Sequence, residues 1–149
     1  MSSTTTPAGA RLGRAFVDTN VLVYAEDIAD PIKRDAARRV LAAESDLVIS
    51  TQVLLEYYFV VTRRLATPLS EPEAANRVAA LAGMAVVAAD AELVLQAVET
   101  ARAEHLSIWD AMIVRAAAAG HCERLLTEDF QSGRLYGGVL VENPFLTLA

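Results

Sequence analysis

Four carboxylates in this chain sit where an α/β fold could gather them. Asp18 ends the apolar run Ala15-Phe16-Val17 and opens Asp18-Thr19-Asn20-Val21-Leu22. That pattern reads as a short buried strand stopping at an acid, with a helix directly after it. The carboxyl end of a parallel strand is where α/β folds bind ligands, and an acid there suits a hard cation such as Mg²⁺. The same residue could simply cap the helix. Glu56 interrupts the apolar run from Val53 to Val61. A helix this apolar is expected to be buried on more than one side, where an unpaired carboxylate is costly. The alternative is a polar stripe, since Gln52, Glu56 and Arg63 share one helical face. Asp110 follows Ser107-Ile108-Trp109. Its spacing from Ser107 also fits a capping box, and Trp109 is expected to pack. Asp129 lies in Leu126-Thr127-Glu128-Asp129-Phe130, just past a strand. Glu128 competes for the same role, and a polar turn would explain both.

Brought together, four like charges would repel and raise one another's pKa. A divalent metal resolves that conflict. Two Mg²⁺ or Mn²⁺ ions held by carboxylates can activate water and stabilise the leaving oxygen of a phosphodiester. Neither histidine is placed as a general base. His105 and His121 both fall near helix ends, where the helix dipole explains them. The lone cysteine, Cys122, has no partner for a disulfide or a zinc site and reads as a buried thiol, which fits a reduced, cytoplasmic setting.

The elements that must position these acids alternate regularly. Strands are expected at residues 14–18, 47–49, 84–88, 124–127 and 139–141. Helices are expected from about Asn20, from Asp30-Pro31 to Glu44, from Ser50 or Thr51 to Ala66, over 71–82, from Asp90 to His105 and from Ser107 to Gly120. Ser70-Glu71-Pro72-Glu73 has the form of a capping box. Gly133, Gly137 and Gly138 mark an irregular loop. The alternation predicts an α/β domain with a central parallel sheet of about five strands and helices on both faces.

The 149 residues suit one domain, and 54% hydrophobic content with a mean hydropathy of +0.31 supplies a core. The longest apolar stretch, Val78 to Ala89, is shorter than the ~18 residues of a membrane helix. Residues 1–13 have no apolar core for a secretory signal and are expected to form a mobile tail before a domain over 14–149. A net charge of −6 argues against a broad basic nucleic-acid coat but not against a nuclease with acids at its centre. Twelve of the thirteen basic residues are Arg, the better bidentate phosphate ligand. Lys33-Arg34, Arg38-Arg39 and Arg63-Arg64 form local pairs that also suit solvated helix faces.

With these motifs in order, the chain resembles a PIN-domain ribonuclease, and most of all the VapC toxins of bacterial toxin–antitoxin pairs. The segments that carry the resemblance are Phe16 to Leu22, Ser50 to Glu56, Ser107 to Ala111 and Leu125 to Phe130. The likeness extends from Arg14 to the C-terminus. Gln131 to Gly138, with Asn143-Pro144-Phe145, resembles one subgroup of VapC toxins. The resemblance implies a single PIN-like domain. It implies that Asp18, Glu56, Asp110 and Asp129 are the catalytic, metal-binding acids for Mg²⁺, with Mn²⁺ as substitute. Thr19, Asn20 and Thr127 match supporting polar positions. Register with the family favours Asp129 over Glu128, which stays a supporting residue. A homodimer, an RNA substrate and a VapB-like antitoxin partner are implied as well. Two other readings are weighed against it. A metal-dependent phosphatase of the haloacid-dehalogenase style needs a second Asp two residues after the first, where this chain has Asn20. A non-catalytic binding module does not need all four acids.

Overall fold

Each helix begins where a side-chain oxygen takes up an orphan backbone N–H. In the computed structural model, which describes residues 13–146, Asp30 accepts from Lys33 N ahead of α2 (Pro31–Ala43), with Pro31 in the first turn. Ser50 accepts from Val53 N to open α3 (Thr51–Arg63). Ser70 and Glu73 close both arms of a capping box on α4 (Glu71–Leu81). Asp90 caps α5 (Ala91–Glu104), and Ser107 caps α6 (Ile108–Ala119). The short α1 (Thr19–Tyr24) starts from Asp18. His105 and His121 both adopt left-handed backbone, at φ 56° and 60°, and His105 is the residue that ends α5. Apart from Gly13, the tail expected over residues 1–13 lies outside the described residues.

The strands are β1 (Ala15–Val17), β2 (Leu47–Ser50), β3 (Ala85–Val87), β4 (Arg124–Leu126), β5 (Leu135–Tyr136) and β6 (Val139–Glu142). Their order is β3-β2-β1-β4-β6-β5, parallel except for the β5–β6 pair. Phe16 in β1 pairs with Val48 on one side and Leu125 on the other. β1 and β4 are buried along their whole length, as central parallel strands with both faces covered must be. The chain steps outward from β1 to β2 and β3, then returns to the other side of β1 as β4. Crossovers of the usual right hand would place the helices of the two paths on opposite faces. In keeping with this, α3 packs on α1 and α4, while α5 packs on α6. The reversal puts the switch point between the carboxyl ends of β1 and β4, the usual ligand crevice of such sheets.

The segment expected as an irregular loop contains a sixth strand. Leu135 and Tyr136 pair antiparallel with Leu140 and Val139. Gly137 and Gly138 join them at φ 58° and 83°. A two-residue hairpin turn with positive φ at both positions favours glycine. A two-residue strand is too short to show alternation, so the glycines were legible and the pairing was not. Among the described residues, no helix is long and apolar enough to cross a membrane.

Candidate functional site

β1 delivers Asp18 to the switch point, and the N–H of Asp18 is fixed to Leu126 O of β4 at 3.0 Å. The residue is only 6% exposed. Oδ1 accepts the Thr19 N–H at 2.7 Å, and Oδ2 accepts the Thr127 hydroxyl at 2.8 Å. Asp18 does cap α1 through one oxygen, and its other oxygen faces the β4 turn. Burial raises the Asp18 carboxyl to about 7, and the charges of Asp129 and Glu56 add to this against the hydrogen bonds from Thr127 and Thr19.

Asn20 ties the two strand ends together. Its Nδ2 lies 3.4 Å from Asp18 Oδ2, 3.2 Å from Thr127 Oγ1 and 3.1 Å from Asp129 Oδ2. Its Oδ1 accepts the Glu128 N–H at 3.3 Å. Thr127, wholly buried, also accepts the Asp129 N–H at 3.1 Å. The turn separates its two acids. Asp129 faces Asn20, whereas Glu128 is turned to Tyr24 and Lys33, at 2.8 and 3.0 Å.

Glu56 is exposed, contrary to the expectation of a helix buried on several sides. Only Val53, Tyr57 and Val61 of α3 are buried, a single stripe at fourfold spacing, while Leu55 is 75% and Phe59 49% exposed. Overall apolarity gave no direction; helical spacing decided which side packs. Glu56 accepts from Gln52 Nε2 at 2.9 Å, which realises part of the polar stripe. It still lines one cavity with Asp18, Asn20 and Asp129. Asp110 feels the charge of Asp129 but is not among the described residues lining this cavity. Its carboxyl is raised first by burial and then by the Asp129 charge, while Ser107 works the other way. Ser107 Oγ also takes the Asp110 N–H at 3.1 Å. Trp109, expected to pack, is 67% exposed. Cys122 is buried, as expected, and burial pushes its thiol up to about 11.

The cavity measures about 340 Å³. Asp18, Asp27, Glu56, Glu128 and Asp129 contribute carboxylates to its wall, and no Lys or Arg is among the described residues lining it. Asp27 escaped the sequence reading because it sits in a loop with no motif around it. Tyr24 carried a signal that was not used: it lies one helical turn beyond Asn20. An all-oxygen donor set with surplus negative charge matches the chemistry of a hard divalent cation. Among the described residues no three such groups are already gathered as a metal cage. Of Asp18, Glu56 and Asp129, only Asp18 is fixed through both carboxylate oxygens, while Glu56 and Asp129 are exposed; their donor chemistry, not a formed cage, is what suits such a cation.

A family model, the PIN domain, matches residues 15–137. No curated protein matches. Among solved structures, the chain is similar to VapC20 of Mycobacterium tuberculosis, described as a sarcin–ricin-loop-cleaving toxin. The two share 23% identity at a TM-score of 0.60, over 74% of this chain and 86% of that one. A toxin–antitoxin complex from Klebsiella pneumoniae shares 20% identity at a TM-score of 0.64, over 87% and 97%. DNA-bound VapBC from Salmonella typhimurium shares 18% identity at a TM-score of 0.61, over 89% and 99%. The match spans nearly all of the sheet, from β1 through β5, and both strand ends that carry Asp18 and Asp129, so this chain belongs to the PIN-domain family.

Proposed function

We propose that this protein is a Mg²⁺-dependent endoribonuclease acting as the toxin of a toxin–antitoxin pair. The observation that carries the reading is the cavity at the β1/β4 switch point, whose described wall holds five carboxylates and no basic side chain. Bound Mg²⁺ or Mn²⁺ would supply an activated water and charge stabilisation at the leaving oxygen. Asp18 is the fixed ligand, oriented by Thr127 and by the Thr19 N–H. Glu56, Asp110 and Asp129 complete the set. Asn20 sets the spacing between Asp18 and Asp129 through one amide group.

Asn20 also speaks against the phosphatase alternative. It occupies the place where that mechanism needs a second carboxylate, and its amide is engaged in holding other side chains. The experiment is cleavage of structured RNA by the purified chain with Mg²⁺, against hydrolysis of a small phosphomonoester. EDTA-sensitive RNA cleavage supports the proposal. Phosphomonoester turnover alone overturns it.

An antitoxin has two features to engage. An Arg would fit the acids bidentately and compete with the metal. Leu55, Phe59 and Val60 flank Glu56 along one groove and suit the apolar face of a partner helix. Tyr57 is buried with its hydroxyl on Glu26 at 2.9 Å, so Tyr58 alone of the tyrosine pair is exposed. The remaining exposed apolar side chains, such as Leu95 and Trp109, suit a homodimer, which light scattering at micromolar concentration tests. Co-expression with the neighbouring gene's product, then pull-down and RNase assay, tests the antitoxin.

A further inference from the structure

Glu128 lines the cavity yet is held aside from it. Tyr24 Oη donates to Glu128 Oε1 at 2.8 Å. Lys33 Nζ donates to Oε2 at 3.0 Å and to Tyr24 Oη at 3.1 Å. Lys33 is the chain's single lysine. Its ammonium lies 4.6 Å from the centre of the Tyr24 ring and 5.5 Å from that of Phe145. Phe145 is buried and meets Tyr24 edge-on at 5.0 Å. The three polar groups thus join the end of α1, the first turn of α2 and the turn after β4. The backbone N–H of Glu128 is meanwhile fixed to Asn20. The Glu128 backbone is thus held by Asn20 and its side chain by Tyr24 and Lys33, while Asn20 also meets Asp129.

We propose that Lys33 and Tyr24 are positioning residues, which hold Glu128 aside so that Asp129 alone of this acid pair is offered to the cation. The inference rests on the metal-dependent reading given above. Both members of the Lys33–Glu128 pair are partly exposed, and such pairs add little to overall stability. The effect therefore belongs to placement, where groups behind the ligands govern metal affinity.

The test titrates Mn²⁺ alone into the metal-free full chain by calorimetry, with RNA cleavage followed in parallel. Lys33→Met should weaken Mn²⁺ binding by about tenfold and raise the Mn²⁺ needed for half-maximal cleavage by the same factor. The KM for RNA at saturating Mn²⁺ and the Tm of the metal-free chain should stay as in the wild type. Lys33→Arg should recover most of the affinity, and Tyr24→Phe should fall between. Wild-type Mn²⁺ affinity in Lys33→Met overturns the proposal. So does a raised KM with unchanged Mn²⁺ affinity, which would make Lys33 a phosphate contact. A larger loss in Glu128→Gln than in Lys33→Met would make Glu128 itself a ligand. A Tm that falls in step with affinity would make the clamp merely structural. If the wild-type chain binds no Mn²⁺ and cleaves no RNA, the nuclease reading fails with it, a result distinct from all of these.

Discussion

Near the amino ends of the strands, Arg124 opens β4 between two acids, with Glu44 at 2.6 and 2.8 Å and Glu142 at 3.2 Å. Arg14 beside it reaches Asp46 at 3.1 Å and Gly120 O at 2.7 Å. At the carboxyl ends, Asp18 is just as deeply buried but faces Asp129 and Glu56, two more acids. One side of the sheet closes its charges with its own side chains. The other leaves like charges facing one another, and a buried acid there is held well above its ordinary range. The contrast separates charge neutralised within the fold from like charge left facing like charge, the pattern that marks candidate functional sites.

The largest effect should come from removing the fixed acid. Asp18→Asn is expected to reduce metal-dependent RNA cleavage to background while the circular dichroism spectrum stays native. Activity at the wild-type level would end the assignment of Asp18 as a ligand. On the opposite side, Arg124→Met should cost roughly 3–5 kcal/mol in urea unfolding, because it takes the guanidinium out of a largely buried ion pair with Glu44. A loss under ~1 kcal/mol, the size of a surface pair, would erase the distinction between the two sides.

Metal should stabilise one side only. Mn²⁺ at a hundred times its Kd is expected to add about 2.7 kcal/mol to the wild type, read as a raised Tm, and little to Asp18→Asn. An equal rise in both would place the ion elsewhere. The smallest effect is a slope. Asp18 is raised from 3.8 to about 7 in the folded, metal-free chain, so the unfolded chain releases that proton first. Its contribution is most favourable below about pH 4 and is lost as the pH climbs through 7. Asp18→Asn should flatten the fall in stability between pH 5 and pH 8, measured without metal. An unchanged slope would mean that Asp18 does not carry the strain.

The parts of this contrast that sequence revealed are the local ones. Asp30, Ser70, Asp90 and Ser107 each announced a helix start, because a cap depends on only the next few residues. Asp18 was legible for the same reason, as an acid ending a strand. The orientation of Glu56 was not, because a run of apolar residues does not say which of them a neighbour will cover. Trp109 misled in the same way. The Tyr24–Lys33–Glu128 clamp was invisible, since Glu128 lies 104 and 95 residues from its partners and meets them only once β4 lies beside β1. The supporting positions of Thr127 and Asn20 came from family resemblance, and the structure supplies their hydrogen bonds.

The sheet also ends abruptly on both flanks: β3 is three residues long and β5 only two. A strand edge offers a template for further strands in proportion to its length, and a foreign strand finds almost nothing to zip against here. Such a molecule is poorly suited to growing into a fibre by adding sheet to sheet. Any association between copies, or with another chain, would fall to the helical flanks, where side chains rather than backbone choose the company.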